Sequence, residues 1–346
     1  MNRRKVLLVI CVAIMGLMTG CGSSNEKTQN AMQMIENLDY EGALATFEEA
    51  TVANENARLI ARGKGIAYMR LTDYEQAIAC FQEALAGSNG LVQDVDFDLN
   101  YYLAAAYTKN GQHAEAEKAY DAILALRPQE KDAYFLRGSV RLASNDFEGA
   151  KTDFDKVIAM DAKNYDRMIE IYEVLRTYGY KEVGQTYLQD ALTAGGEQMK
   201  AFDKGRIYYY LGEYQQAYLA LEEARENGNA ESYIYLGKAY EATGDYNYAS
   251  SVYNSYIAKD PNNAMVYNQL GLCEMAKQEY QKALEAFQAG MQVEGNNMMQ
   301  VLSFNEVVAY EYLGEYKKAA VLLDNYLKLY PDDEQAKREQ EFLATR

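Results

Sequence analysis

A single histidine, His113, stands in a chain of 346 residues, so no pair of imidazoles is available for an HExxH helix or a histidine-rich metal cage. Of the four cysteines, Cys11, Cys21, Cys80 and Cys273, no two have the spacing of a zinc site. The glycine patterns that cradle phosphates or dinucleotides, and the G-x-S-x-G elbow that presents a nucleophilic serine, are absent. Carboxylates are abundant, but charge runs of this kind belong to solvated helix faces. The residues therefore offer no nucleophile, general base, metal cage or cofactor site, and the chain is not expected to be an enzyme.

Cys21 is the one residue whose surroundings point to a modification. The chain opens with the basic Arg3-Arg4-Lys5, continues with the apolar run Val6 to Met18, and reaches Thr19-Gly20-Cys21. The run is shorter than the ~20 apolar residues that span a bilayer as a helix, so it reads as a secretory leader. Met18-Thr19-Gly20-Cys21 resembles the bacterial lipobox, in which the leader is cut before a lipidated cysteine; Met18 stands where the pattern usually has leucine. That resemblance implies lipidation of Cys21 and anchoring on the extracytoplasmic face of a cell membrane, with a Gram-positive envelope favoured. More than one acyl chain makes such anchoring stable. Cleavage would also remove Cys11. Cys80 and Cys273, far apart in sequence, are expected as buried helix residues without a disulfide.

The chain carries 34 Lys+Arg against 51 Asp+Glu, a net charge of −17. Loss of the leader with its three cations makes this −20. Nucleic acid is excluded as a partner, because its affinity comes chiefly from cations on phosphate. Three prolines and no low-complexity tract suggest one continuous folded body.

Internal repetition decides the fold class. A small residue followed four positions later by a bulky one recurs as Ala43/Phe47, Ala77/Phe81, Ala116/Tyr120, Ala150/Phe154, Gly184/Leu188, Ala217/Leu221, Ala249/Tyr253, Ala283/Phe287 and Ala319/Leu323. The intervals between the small residues are 34, 39, 34, 34, 33, 32, 34 and 36. Gly111, Asn145, Gly179, Gly212, Gly244 and Gly314 precede the small residues at turn positions, where a left-handed residue closes a helix. An acidic residue follows in most units, favouring the start of a second helix. An aromatic then stands in seven units, from Tyr40 to Tyr316; His113 takes that slot in the third unit, as a turn residue.

This pattern resembles the tetratricopeptide repeat family. Tyr233-Leu236-Gly237 and Tyr267-Leu270-Gly271 stand where the family has Trp-X-X-Leu-Gly; Tyr68, Tyr107, Tyr208, Tyr240 and Tyr310 match its later tyrosine. Pro128, Pro261 and Pro331 match its closing proline. The resemblance implies an all-α, right-handed α-solenoid of about nine helical hairpins with a C-terminal capping helix. The boundaries expected are a leader at 1–20, lipidated Cys21 with a tether to 27, the array at 28–333 and the cap at 334–346. The units fall at about 28–57, 58–91, 97–130, 131–164, 165–197, 198–229, 230–263, 264–297 and 300–333.

In the family the first helix of each hairpin lines a concave groove. The register puts Tyr101, Phe135, Phe202, Tyr209 and Phe304 near that face, with Arg62, Arg70, Arg176, Arg206 and Lys238. Aromatics and arginine dominate binding hot spots, and cations there suggest a partner segment with acidic groups. One family device, a carboxylate clamp of Lys, Asn and Arg, is not reproduced, since Ile66 stands where asparagine is needed. The resemblance thus implies a non-enzymatic, membrane-anchored scaffold binding proteins or peptides at the bacterial cell envelope. The alternatives are a lipoprotein holding a peptide or glycan in the groove, or a self-associating structural protein. Tetratricopeptide lipoproteins include assembly factors, which supplies an analogy for the process served.

Overall fold

The computed structural model describes residues 25–88 and 90–346; the leader, Cys11 and Cys21 lie outside the described residues. Among these, all regular structure is helical. Five hairpins come first: α1 (Glu26–Glu36) with α2 (Tyr40–Val52), α3 (Ala57–Arg70) with α4 (Tyr74–Ala86), α5 (Asp94–Lys109) with α6 (His113–Leu126), α7 (Lys131–Ala143) with α8 (Phe147–Met160), and α9 (Tyr165–Thr177) with α10 (Lys181–Gly195). Four follow: α11 (Ala201–Leu211) with α12 (Tyr214–Glu226), α13 (Ser232–Ala242) with α14 (Tyr246–Ile257), α15 (Ala264–Ala276) with α16 (Tyr280–Met291), and α17 (Met299–Tyr312) with α18 (Tyr316–Leu329). A last helix, α19 (Glu334–Leu343), stands alone. The chain forms two compact units that divide between Tyr187 and Leu188, within α10. The α-solenoid of nine hairpins with a capping helix is as expected. No helix among the described residues is long and apolar enough to cross a membrane.

Each hairpin turns through one residue in the left-handed region, five positions before the small residue of its second helix. These are Leu38, Thr72, Gly111, Asn145, Gly179, Gly212, Gly244, Gln278 and Gly314, with φ between 63° and 91°. The glycines and the asparagine were legible as turn residues; Leu38, Thr72 and Gln278 take the same conformation against their intrinsic preference. The next residue starts the second helix. Asp39, Asp73, Asp146 and Asp245 cap it by accepting from the backbone N–H three residues on, at 3.0–3.1 Å. Glu213, Glu279 and Glu315, one methylene longer, make no such cap and contribute charge alone.

The hairpins close by fitting a bulky side chain into a notch. Phe47, Phe81, Phe154, Leu221, Tyr253 and Phe287 are fully buried. A first-helix glycine faces most of them. A β-carbon added at Gly65 would meet the Phe81 ring at 2.5 Å, and one at Gly138 would meet Phe154 at 2.8 Å. In the second unit Gly205 faces Leu221 at 2.6 Å, while Gly237 and Gly271 approach Tyr253 and Phe287 at 2.3 Å. The fifth hairpin reverses the sizes. Tyr172 fills the notch position, and the second helix supplies Gly184, whose added β-carbon would meet the Tyr172 ring at 3.0 Å and its backbone at 3.2 Å.

Successive hairpins are tied through their first helices. In the first unit Arg58 pairs with Asp96, Arg62 with Asp98 and Arg167 with Asp132, each bridge crossing from one first helix to the next. In the second unit Asn305 donates to Asn268 at 2.8 Å across α15 and α17. Cap helix α19 buries Ala336 and Leu343, and Asp333 caps its first turn. Cys80 and Cys273 are free.

The notch reverses the usual effect of glycine in a helix. An unobstructed Gly→Ala change stabilises a helix by about 1 kcal/mol, whereas Gly271→Ala should destabilise the protein by about 1–3 kcal/mol through overpacking. Thermal or urea denaturation measures this, and Phe287→Leu in the same chain should recover part of the loss. At the turns the sign is opposite: Thr72→Gly should raise stability by about 1 kcal/mol by removing a β-branched residue from positive φ.

Candidate functional site

Each first helix commits one side to the notch, so the residues a turn away from that side lie toward the neighbouring first helices. In the second unit those on α11 and α13 stand out. Around Gly205, which seats Leu221, helical geometry carries Phe202, Arg206, Tyr209 and Tyr210 toward the next first helix. Around Gly237, which seats Tyr253, it carries Tyr235 and Lys238.

Tyr235 is the hub. Its ring lies edge-on to Phe202 at 5.8 Å, to Tyr209 at 5.9 Å and to Tyr210 at 6.2 Å. Tyr209 and Tyr210 meet edge-on at 5.1 Å. The Arg206 guanidinium stands 4.6 Å from the Phe202 ring centre and 5.8 Å from that of Tyr235, and Lys238 stands 5.2 Å from Tyr235. Asp203 accepts a hydrogen bond from Arg206 at 2.7 Å. Edge-to-face rings and desolvated cation–π contacts each contribute about 0.5–2 kcal/mol, so the cluster is held rigid before any partner arrives. One turn beyond Lys238, Glu241 accepts from the Tyr253 hydroxyl at 2.6 Å; burial raises the Glu241 carboxyl above its usual range.

The structure thus brings four expected residues together: Phe202, Arg206, Tyr209 and Lys238. The other six are placed elsewhere. Phe135 does not reach the surface: it is fully buried against Phe154, under the Arg167 guanidinium. Its position in α7 points sideways into the hairpin, which corrects its assignment to the groove. Tyr101 packs edge-on to Tyr120 of α6, and burial pushes its hydroxyl well above the usual tyrosine range. Phe304 packs between α17 and α18 against Tyr326. Arg62 is held by Asp98 and lies over Tyr102, Arg176 pairs with Glu173 at 2.5 Å, and Arg70 is exposed at the end of α3. Arg62, Arg176 and Arg206 are each paired to a carboxylate of their own unit. Sequence reasoning missed Tyr235 and Tyr210. Their signal was the 26-residue interval from Tyr209 to Tyr235, which places both on facing sides of adjacent first helices.

A second feature lies at the far end of the same unit. Glu311 of α17 and Glu339 of α19 bring their carboxyls together. Burial, and then the charge of Glu339, push the Glu311 carboxyl up to about 8. In the first unit, a cavity of about 250 Å³ is lined by Lys131, Asp132, Asp161 and Arg167, which pair with one another across it.

A family model described as tetratricopeptide repeat matches residues 35–92, 62–131, 101–166, 202–264 and 236–291, and another of the same description matches 304–333. A TPR repeat-containing protein of Methanocaldococcus jannaschii is 25% identical over 207 residues, which are 57% of this chain and 35% of that protein. RNA polymerase II-associated protein 3 of Xenopus tropicalis is 24% identical over 163 residues, 47% of this chain and 22% of that protein. The chain therefore spans 35% and 22% of the length of these two relatives. A solved tetratricopeptide repeat protein from Parabacteroides merdae is similar over 83% of this chain and 99% of that one, with 15% identity and a TM-score of 0.44.

The Glu311 carboxyl makes stability depend on pH. Its folded value of about 8 lies above the 4.5 of a free glutamate, so the folded state holds a proton that the unfolded state releases. Stability from this group is present below about pH 4.5 and is lost as the pH rises toward 8. Denaturation midpoints between pH 5 and 8.5 should fall for the parent and flatten in Glu311→Gln, which should be the more stable of the two at pH 8.5.

Proposed function

The chain belongs to the tetratricopeptide repeat family, and from that premise we propose that it is a non-enzymatic adaptor that gathers protein partners at the surface of a bacterial cell membrane. Tetratricopeptide repeats build surfaces for protein–protein and protein–peptide interaction. The observation that carries the reading is the Tyr235 cluster: six aromatic and cationic side chains, preorganised by their mutual contacts between α11 and α13, with five of the six half-buried at the protein surface and Arg206 buried among them. Tyrosine and arginine are hot-spot residues, and rings already ordered cost less to immobilise on binding. An open layer of first helices suits an extended protein segment better than a small molecule.

The anchor is the part of this proposal that rests on sequence alone. Met18-Thr19-Gly20-Cys21 supports lipid attachment at Cys21, and Gly22 to Asn25, the residues before α1, would give a tether of at most roughly 13 Å at ~3.3 Å per residue. The first hairpin would then sit close to the membrane surface, and an acidic chain would stand off from anionic lipid instead of lying on it.

Two measurements test the proposal. Metabolic labelling with an alkynyl fatty acid should mark the parent in a bacterial host and leave Cys21→Ala unmarked, with the variant released from the membrane fraction; labelling that survives the substitution removes the anchor. Crosslinked pull-downs from the same cells should capture a discrete protein set. Tyr235→Ala should weaken that capture by about tenfold or more, the loss of a hot-spot aromatic. Unchanged capture would rule out the Tyr235 face as the binding surface.

A further inference from the structure

On α15, α17 and α19 the register held by Arg206 and Lys238 in the two preceding first helices is apolar. Leu272, Val308 and Phe342 occupy it, and Met265, Val301 and Tyr312 lie beside it on the same helix faces. Met265, Leu272, Val301, Tyr312 and Phe342 are between 38% and 60% exposed. The bond from Asn305 to Asn268 holds the strips of α15 and α17 side by side. Neighbouring apolar exposure of this kind, on a chain of net charge −17, marks an interaction surface.

Where α17 meets α19 the strip is bordered by carboxyls, while past the end of α19 the Arg346 guanidinium lies over the Phe342 ring at 4.9 Å. Glu311 stands on α17 between Val308 and Tyr312, and Glu339 meets it from α19, three residues before Phe342. Oε1 of Glu311 is buried and meets no donor other than that neighbouring carboxyl. The other cations near it are held by groups outside the strip. Lys318 of α18 lies over the Tyr310 ring at 4.0 Å and 3.9 Å from Glu315. On α19, Lys337 bonds Glu334 at 3.0 Å and Arg338 donates to the Glu334 carbonyl at 3.0 Å. Lys277, just past the end of α15, bonds Glu274 at 3.0 Å.

We infer that this strip receives an amphipathic segment of a partner protein whose apolar side is bordered by lysine or arginine, with one cation entering between Glu311 and Glu339. The inference rests on the adaptor reading and names the chemistry of its partner. An acidic segment would add like charge beside a half-buried carboxyl that already holds its proton, whereas a cation supplies the missing donor and lets Glu311 ionise. Entry of that cation displaces the proton held by Glu311, so affinity rises with pH between about 6 and 8.

Two synthetic amphipathic helices test it, one of Leu and Lys and one with Glu in place of each Lys, titrated against the whole chain by fluorescence anisotropy at pH 6.5 and 8.5. The Lys peptide should bind, more tightly at the higher pH, and the Glu peptide at least about tenfold more weakly. The double variant Glu311→Gln/Glu339→Gln, checked for folding by circular dichroism, should lower Lys-peptide affinity about tenfold. Glu148→Gln/Glu182→Gln, which removes at least as much negative charge from exposed sites of α8 and α10, should leave it as in the parent. Leu272→Ser should weaken it as well. Equal losses in the two double variants would mean general charge attraction and would overturn the inference, as would equal binding of the two peptides. Either failure leaves the adaptor reading standing, because that depends on capture in cells and its loss in Tyr235→Ala.

Discussion

One contact repeats through the chain and the rest of the structure depends on it: a bulky side chain of the second helix seated in a gap on the first. Two helices joined by a short turn cannot bury enough apolar surface unless their backbones approach closely. A glycine at Gly65, Gly138, Gly237 or Gly271 permits that approach, and the ring of Phe81, Phe154, Tyr253 or Phe287 fills the space created. The left-handed turn residue and the aspartate cap set the direction in which the second helix departs, so that the ring arrives at its gap.

This contact also decides where function is available. Because one side of each first helix is committed to its own hairpin, and its flanks to the neighbouring hairpins, a single stripe per helix is left over. In the first unit much of that stripe is neutralised by the fold's own ion pairs, such as Arg62 with Asp98 and Arg167 with Asp132. In the second unit it carries rings around Tyr235 and then an apolar strip along α15 and α17. Two kinds of surface therefore arise from one architecture, according to which side chains occupy the leftover positions.

The hairpins were legible in the sequence because their determinants are local. Small and bulky residues four apart, a turn glycine and an acidic start lie within one stretch of chain, and their spacing survives even where residue types change. Three turns escaped notice because Leu38, Thr72 and Gln278 are poor left-handed residues, held there by the helices on either side. The surface was less legible, since it depends on which residues meet across neighbouring hairpins. Phe135 has the right type and register for a binding face, but the Phe154 ring and the Arg167 guanidinium of the next first helix bury it. Tyr235 was passed over although it joins Phe202, Tyr209 and Tyr210, because its importance lies in its neighbours and not in its own hairpin. The pairing of Arg206 with Asp203 on one helix turn was likewise a matter of neighbours.

The reversed fit of the fifth hairpin bears on how such a chain can change length. Tyr172 needs Gly184, and Gly271 needs a large partner such as Phe287. Recombination that breaks the chain between the two helices of a hairpin would join a filled gap to a protruding ring, or an empty gap to a small residue. Breaks that fall between hairpins keep the pairs within each hairpin intact and disturb only cross-hairpin contacts such as Gly63 with Phe47. Whole hairpins are therefore the exchangeable segments of this molecule, and duplication or loss can proceed in steps of one hairpin while the halves of a hairpin must be inherited together.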